Sequence, residues 1–131
     1  MRILVVDDTL ISRQLLTHSL RPYGEVDVAV NGEEAVESFR MAWDEKAPYD
    51  CIFLDIMMPL MDGHEVLSDV RKWEQDKAVK NPVQIVMSTA LGDRENVLNS
   101  FKEGCEFYLV KPLQVAKVEG IMAEMGFSKK D

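Results

Sequence analysis

The sequence is poor in the residues that mark several common protein classes. It holds two cysteines in 131 residues, Cys51 and Cys105. They are far apart, lack metal-ligand spacing and stand in apolar contexts, so they read as buried, reduced thiols. There are two histidines, His18 and His64. Neither falls near the acidic residues described below, which argues against a histidine-based triad and favours an ordinary surface or partly buried residue for each. No Gly-x-Gly-x-x-Gly and no Walker-type Gly-rich loop occurs, which argues against nucleotide binding. No apolar run approaches the roughly 20 residues of a membrane span. Met1-Arg2 runs straight into a strand pattern rather than a signal peptide. Positive charge is also short: the net charge is −8, which disfavours direct contact with nucleic acid or with an anionic membrane. No internal repeat, low-complexity segment or linker interrupts the chain. A cytoplasmic protein of one domain is the expectation.

What is present is 47% hydrophobic and 29% charged, ordinary for a globular chain. The chain is organised around residues 51–63, where Cys51-Ile52-Phe53-Leu54 runs into Asp55 and then into a loop punctuated by Pro59 and Gly63. Such a short apolar run reads as a strand buried on both faces. Ile3-Leu4-Val5-Val6 reads the same way and ends at Asp7-Asp8. Thr9 stands where it can cap a helix with apolar positions at Ile11, Leu15, Leu16 and Leu20. Val26 to Val30 alternates like an edge strand. Asn31-Gly32-Glu33-Glu34 starts a helix with Ala35, Val36, Phe39 and Trp43 on one face. A third helix from about Gly63 carries Val66, Leu67, Val70 and Trp73, and Glu74 to Asn81 is patternless. Val83 to Met87 is a fourth strand, followed by Ser88-Thr89-Ala90. A helix over Asp93 to Lys102 is expected to bury Val97, Leu98 and Phe101. Phe107 to Val110 is a fifth strand ending at Lys111-Pro112. The last helix has Val115, Val118, Met122 and Met125 at three/four spacing.

Five alternations of strand and helix demand parallel pairing through helical crossovers. Crossovers are nearly always right-handed, so the expected architecture is an α/β, doubly wound five-stranded parallel sheet. Ligands bind beyond the carboxyl ends of such strands. Asp7, Asp8, Asp55, Thr89 and Lys111 all fall on that rim. A lone strand-end Asp is as well explained as a helix cap, but three carboxylates together repel one another and call for a hard divalent cation such as Mg²⁺. A Thr and a Lys beside it suit phosphoryl oxygens, and the nearest carboxylate can act as a nucleophile to give an aspartyl-phosphate.

Five segments, Ile3 to Asp8, Asn31 to Ala35, Leu54 to Gly63, Ser88 to Ala90 and Tyr108 to Pro112, together resemble the response regulator receiver domains of two-component signalling, in particular stand-alone, CheY-like chemotaxis regulators. The resemblance covers residues 2 to 126, making 1–126 the domain and 127–131 a short C-terminal tail. It implies the flavodoxin-like fold with strand order 2-1-3-4-5. It implies that Asp55 accepts a phosphoryl group from a sensor histidine kinase or phosphotransfer protein. Asp8, Asp55 and the backbone carbonyl of Met57 would hold Mg²⁺ (or Mn²⁺), with Asp7 acting through metal-bound water. Thr89 and Lys111 would hold phosphoryl oxygens, and Tyr108 would be the aromatic switch partner of Thr89. Lys111-Pro112 is expected to be cis. A downstream target protein would bind the face of the fourth helix, fifth strand and fifth helix, where Arg94, Glu106 and Lys117 are candidates. Met57 and Leu91, apolar where relatives with short-lived phosphorylation carry polar side chains, would tune the lifetime.

The chain departs from the family pattern in longer connectors at 44–50 and 74–81, in Cys105 where a small Ala is frequent, and in ending soon after the last helix. The expected function is therefore a phosphorylation-activated signalling switch rather than an enzyme acting on outside substrates. The alternative is a receiver excised from a larger regulator, or an intermediate of a phosphorelay. A metal-dependent aspartyl phosphatase needs a second acid two residues after the nucleophile, where Met57 stands here. A flavodoxin-type electron carrier would set Asp7-Asp8 against a flavin phosphate.

Overall fold

A computed structural model describes residues 1–90 and 93–130, with Arg94 described by its backbone alone. The described residues form β1 (Arg2–Val6), α1 (Leu10–Leu20), β2 (Glu25–Ala29), α2 (Gly32–Asp44), β3 (Cys51–Asp55), α3 (Gly63–Asp76), β4 (Gln84–Thr89), α4 (Arg94–Glu103), β5 (Phe107–Val110) and α5 (Val115–Glu124). All strand pairs are parallel and the order is β2-β1-β3-β4-β5, as the resemblance implies.

Alternation along the central strands divides the core. Leu4, Val6, Ile52, Leu54, Ile85 and Met87 pack with α2 and α3 through Phe39, Val66 and Val70. Ile3, Val5, Phe53 and Val86 pack on the other face with Leu16, Leu20, Val118 and Met122 of α1 and α5. Burial on both faces is why β1 and β3 read as continuous apolar runs rather than as alternating ones. Residues beyond Met125 lie back on this body. Phe127 packs against the α1–α5 half of the core, Lys129 pairs with Glu119, and the Lys130 amide donates to the Pro22 carbonyl at 2.7 Å.

Caps define two helix starts as expected. Asn31 Oδ1 accepts from the Glu34 amide at 2.8 Å, and Asp62 Oδ1 accepts from the Glu65 amide at 3.0 Å. Thr9 departs from expectation: it occupies the N-cap position of α1, but its side chain makes no capping bond. Its own amide instead donates to Asp7 Oδ1 at 2.8 Å. Ile11 and Val115, assigned to apolar helix faces, are exposed.

The fourth helix overturns its expected burial. Leu98 is 62% exposed and Phe101 41%, Val97 is half-buried, and Ser100 is the one residue of α4 buried among those described. Apolar spacing identified a real stripe, but α4 turns its Asn96–Ser100 side toward the body and leaves Leu98 and Phe101 outside. Glu74, expected in a patternless tail, is buried in α3. Its carboxylate accepts from Arg71 Nη1 and from the Val83 amide, both at 2.7 Å.

Candidate functional site

The carboxyl ends of β1, β3, β4 and β5 converge because the register puts Val6 beside Leu54, Asp55 beside Ser88 and Thr89 beside Val110. Asp7 and Asp8 follow β1 directly, and Asp55 closes β3. One ligand oxygen from each of Asp7, Asp8 and Asp55 lies within 4.8 Å of the others. Asp7 and Asp55 are buried and Asp8 is exposed at the mouth.

Lys111, just beyond β5, places Nζ 3.2 Å from both Asp7 Oδ2 and Asp55 Oδ2. Asp55 Oδ1 accepts from the Met57 amide at 3.3 Å. Asp7 is fixed from three sides: its amide donates to the Ala29 carbonyl at 3.2 Å, its carbonyl accepts from Arg13 Nη1 at 3.0 Å, and Oδ1 accepts from Thr9. Asp7 Oδ2 has Lys111 within ion-pair range but no donor aligned on it. A buried carboxylate oxygen left this way, beside two further carboxylates, fits a divalent cation that takes oxygen ligands.

Electrostatics agree. Burial, together with the neighbouring Asp7 carboxylate, pushes the Asp55 carboxyl up to about 6, against the pull of Lys111 and the Met57 amide. Burial alone would lower the Lys111 pKa, but the charges of Asp55 and Asp7 outweigh it and hold the ammonium above its ordinary value. A carboxylate with a raised folded-state pKa makes the folded state bind protons more readily than the unfolded chain. Metal-free protein is therefore expected to lose roughly 2 kcal/mol from this group as the pH rises from about 4 to about 6. Mg²⁺ should restore stability most strongly above that window, where the proton no longer competes for Asp55. Urea unfolding across pH, with and without Mg²⁺, measures both; a Mg²⁺ effect as large at about pH 4.5 as at about pH 7.5 would contradict this reading.

The loop from Ile56 to Gly63 frames the site. The Ile56 amide donates to the Ser88 carbonyl at 3.0 Å and the Gly63 amide to the Ile56 carbonyl at 2.9 Å. A Cβ on Gly63 would lie 2.4 Å from the Asp55 carbonyl oxygen, so the close approach that starts α3 beside the site requires glycine there. Lys111-Pro112 is cis, as the resemblance implies.

Thr89 is buried at the end of β4, its hydroxyl donating to the Ala90 carbonyl at 3.4 Å. Tyr108 is half outside, 43% exposed, its ring edge-to-face with Phe101 at 5.7 Å between centroids. A cleft of about 310 Å³ lies between them, lined by Thr89, Val97, Phe101, Tyr108 and Val110 among others. Met57 is 65% exposed beside Asp55. Leu91 lies outside the described residues, as does the side chain of Arg94. Lys117 is exposed on α5.

Glu106 is not a free surface charge: it accepts from Arg71 Nη2 at 2.7 and 3.0 Å and from the Ile85 amide at 2.7 Å. Ser88, given no role by the sequence reading, has a hydroxyl that is buried and unpaired one position before Thr89. No spacing signal marks it.

The sequence matches the family described as response regulator receiver domain over residues 3–122. It is 32% identical over 125 residues to chemotaxis protein CheY of Halobacterium salinarum, covering 95% of each chain. It is 35% identical over 127 residues to hybrid signal transduction histidine kinase L of Dictyostelium discoideum, covering 95% of this chain but spanning only 7% of that protein. Among solved structures, the complex of the Saccharomyces cerevisiae phosphotransfer protein Ypd1 with the receiver domain of Ssk1 matches with a TM-score of 0.84 and 28% identity. That match covers 96% of this chain and 88% of the other.

Proposed function

The chain belongs to the response regulator receiver domain family, and from that premise we propose that it is a phosphorylation-activated switch of two-component signalling with Asp55 as its phosphoryl acceptor. The observation that carries this reading is the buried Asp55 carboxylate held between Lys111, at 3.2 Å, and the Asp7–Asp8 pair. In this reading residues 1–126 form the receiver and 127–131 a short tail. Among the described residues no helix is long and apolar enough to cross a membrane.

The donor is a phosphohistidine of a sensor kinase or phosphotransfer protein. An Asp55 carboxylate oxygen attacks phosphorus, the new O–P bond forms as the N–P bond breaks, and the electron pair leaves with the imidazole nitrogen. Asp8, Asp55 and the Met57 carbonyl would hold Mg²⁺ or Mn²⁺, with Asp7 behind them. The cation would neutralise charge on the transferring oxygens. Lys111 supplies a fixed positive charge on the same oxygens, aimed where charge gathers in the transition state. Thr89 then turns toward the phosphoryl group, and the cleft it borders can receive the Tyr108 ring. The face of α4, β5 and α5 thereby changes affinity for a downstream protein, a shift between conformers that both exist beforehand. A segment of a larger regulator or a relay intermediate would use the same chemistry. Those are distinguished by whether phosphate passes onward from Asp55 to a histidine phosphotransfer protein.

The test is incubation with a small phosphodonor and Mg²⁺, followed by mass spectrometry: one phosphoryl group on Asp55 is expected, and label on Asp7 or Asp8 instead would overturn the assignment. Decay of that label reads the lifetime. Apolar Met57 and Leu91 cannot orient a hydrolytic water, so decay should be slow. Met57→Asn should speed it several-fold, since a positioned water replaces a loose one. Unchanged decay in that variant would remove water positioning as the control.

A further inference from the structure

His64, the second residue of α3, faces α4 with both ring nitrogens. Nε2 lies 3.1 Å from Asn96 Oδ1 and Nδ1 lies 2.9 Å from Glu103 Oε1. Asn96 Nδ2 donates to Asp93 Oδ2 at 2.7 Å. A carboxylate only accepts, so Asp93 fixes the amide with its NH₂ toward itself and its carbonyl oxygen toward His64. Nε2 must then carry a hydrogen. Nδ1 stands 2.9 Å from Glu103 Oε1 with no hydrogen bond aligned between them, and a neutral ring protonated on Nε2 would turn its Nδ1 lone pair toward that carboxylate. A neutral imidazole has one hydrogen to offer, and an imidazolium has two. The Nδ1–Glu103 contact is short but lies off the hydrogen-bond direction, so its attraction is chiefly that of opposite charges and disappears when the ring is neutral.

The other charged residues that line the cleft at the ring are all acidic. Glu103 and, through Asn96, Asp93 face it from α4. Glu65 and Asp69 of α3 line the same cleft, with Met61 and Ser68 completing the described lining. The tie also falls where other packing is thin, since α4 leaves Leu98 and Phe101 largely in solvent. A helix with few buried apolar contacts opens locally at low cost, so a polar tie to α3 governs it more than it would a well-buried helix.

We infer that His64 is a proton-dependent tie between α3 and α4, closed when the ring is an imidazolium and loosened when it is neutral. Acidification then holds α4 against α3, and alkalinisation frees it. The tie stands on geometry alone. Its signalling consequence, that pH sets how readily the α4 face rearranges, rests on the switch reading above.

Amide-exchange protection of the α4 backbone, corrected for intrinsic rates, tests the tie at about pH 5.5 and about pH 8, on either side of the range where histidines titrate. The full chain should carry Asp55→Asn, so that the phosphoryl site does not titrate across the same range and no phosphorylation enters. The opening of Val97 to Glu103 is expected to rise roughly two- to fivefold from the lower to the higher pH, the scale of one partly exposed ion pair. Adding His64→Gln should abolish that dependence, and Glu103→Gln should reduce it. A pH dependence that persists in His64→Gln, that is missing from the parent, or that is shared equally by the amides of β1 would overturn the inference. The outcome is separate from that of phosphodonor labelling, so failure of one reading does not imply failure of the other.

Discussion

Asp55→Asn is expected to abolish phosphoryl transfer to this protein and, at neutral pH, to make its metal-free fold more stable. Both effects come from one side chain in one place. The amide oxygen of Asn is no nucleophile toward phosphorus, and no other carboxylate lies both at the end of β3 and against Lys111. Asp7 is occupied by Thr9 and by backbone contacts on either side of it. Asp8 sits at the exposed mouth. The stability gain follows from the raised Asp55 pKa, which burial and Asp7 together cause. Removing that charge relieves its desolvation and its repulsion from Asp7, while Lys111 keeps Asp7 as a partner. A gain of about 1–3 kcal/mol is the scale for relieving one such buried charge. Mass spectrometry after phosphodonor treatment and urea unfolding without metal measure the two effects. Residual stoichiometric label, or a less stable metal-free variant, would contradict the account. The part of the stability slope between about pH 4 and about pH 6 that Asp55 contributes should also vanish in this variant.

Lys111→Met should separate metal binding from phosphoryl transfer. In the metal-free protein the ammonium bridges Asp7 and Asp55 at 3.2 Å to each, where it competes with an incoming cation for the same oxygens. Its removal should leave Mg²⁺ binding as tight as before or tighter. The rate of labelling should nonetheless fall by about 10²–10³, the cost of losing one fixed donor aimed at developing charge. Without metal the variant should be less stable near neutral pH, because two buried carboxylates lose their shared counter-charge; saturating Mg²⁺ should recover that loss. A variant that binds Mg²⁺ weakly yet labels at the normal rate would reverse the assigned roles of Lys111 and the acids.

How legible the site was depended on where each signal lay. Asp7, Asp8, Asp55, Thr89 and Lys111 stand at the ends of short apolar runs, and parallel winding brings the carboxyl ends of such runs together whatever the side chains between them. The strand positions and the rim were therefore readable from local pattern. Contacts across helices were not. Arg71 joins Glu74, Gly104, Val83 and Glu106 over as many as 35 positions, and His64 meets Asn96 over 32; no spacing rule reaches that far. The fourth helix failed for a different reason. Its apolar stripe at Val97, Leu98 and Phe101 has the period of a buried face, but periodicity reports only that a face exists and not that another layer covers it. Thr9 shows the same limit at close range, because its position suits a cap while the nearby Asp7 carboxylate takes the Thr9 amide.

That exposed α4 stripe is also where the central claim is most open to test. In the structure Tyr108 stacks edge-on against Phe101 and stands 43% exposed, with a cleft between it and buried Thr89. The account holds that a phosphoryl group on Asp55 is felt there. Amide exchange measured at constant pH on the Mg²⁺-bound protein, with and without a beryllofluoride phosphoryl mimic, reads this directly. The account predicts altered protection around Asp55 and also through residues 94 to 118, with both changes absent in Asp55→Asn. Changes that stay beside Asp55 and never reach residues 94 to 118 would contradict it.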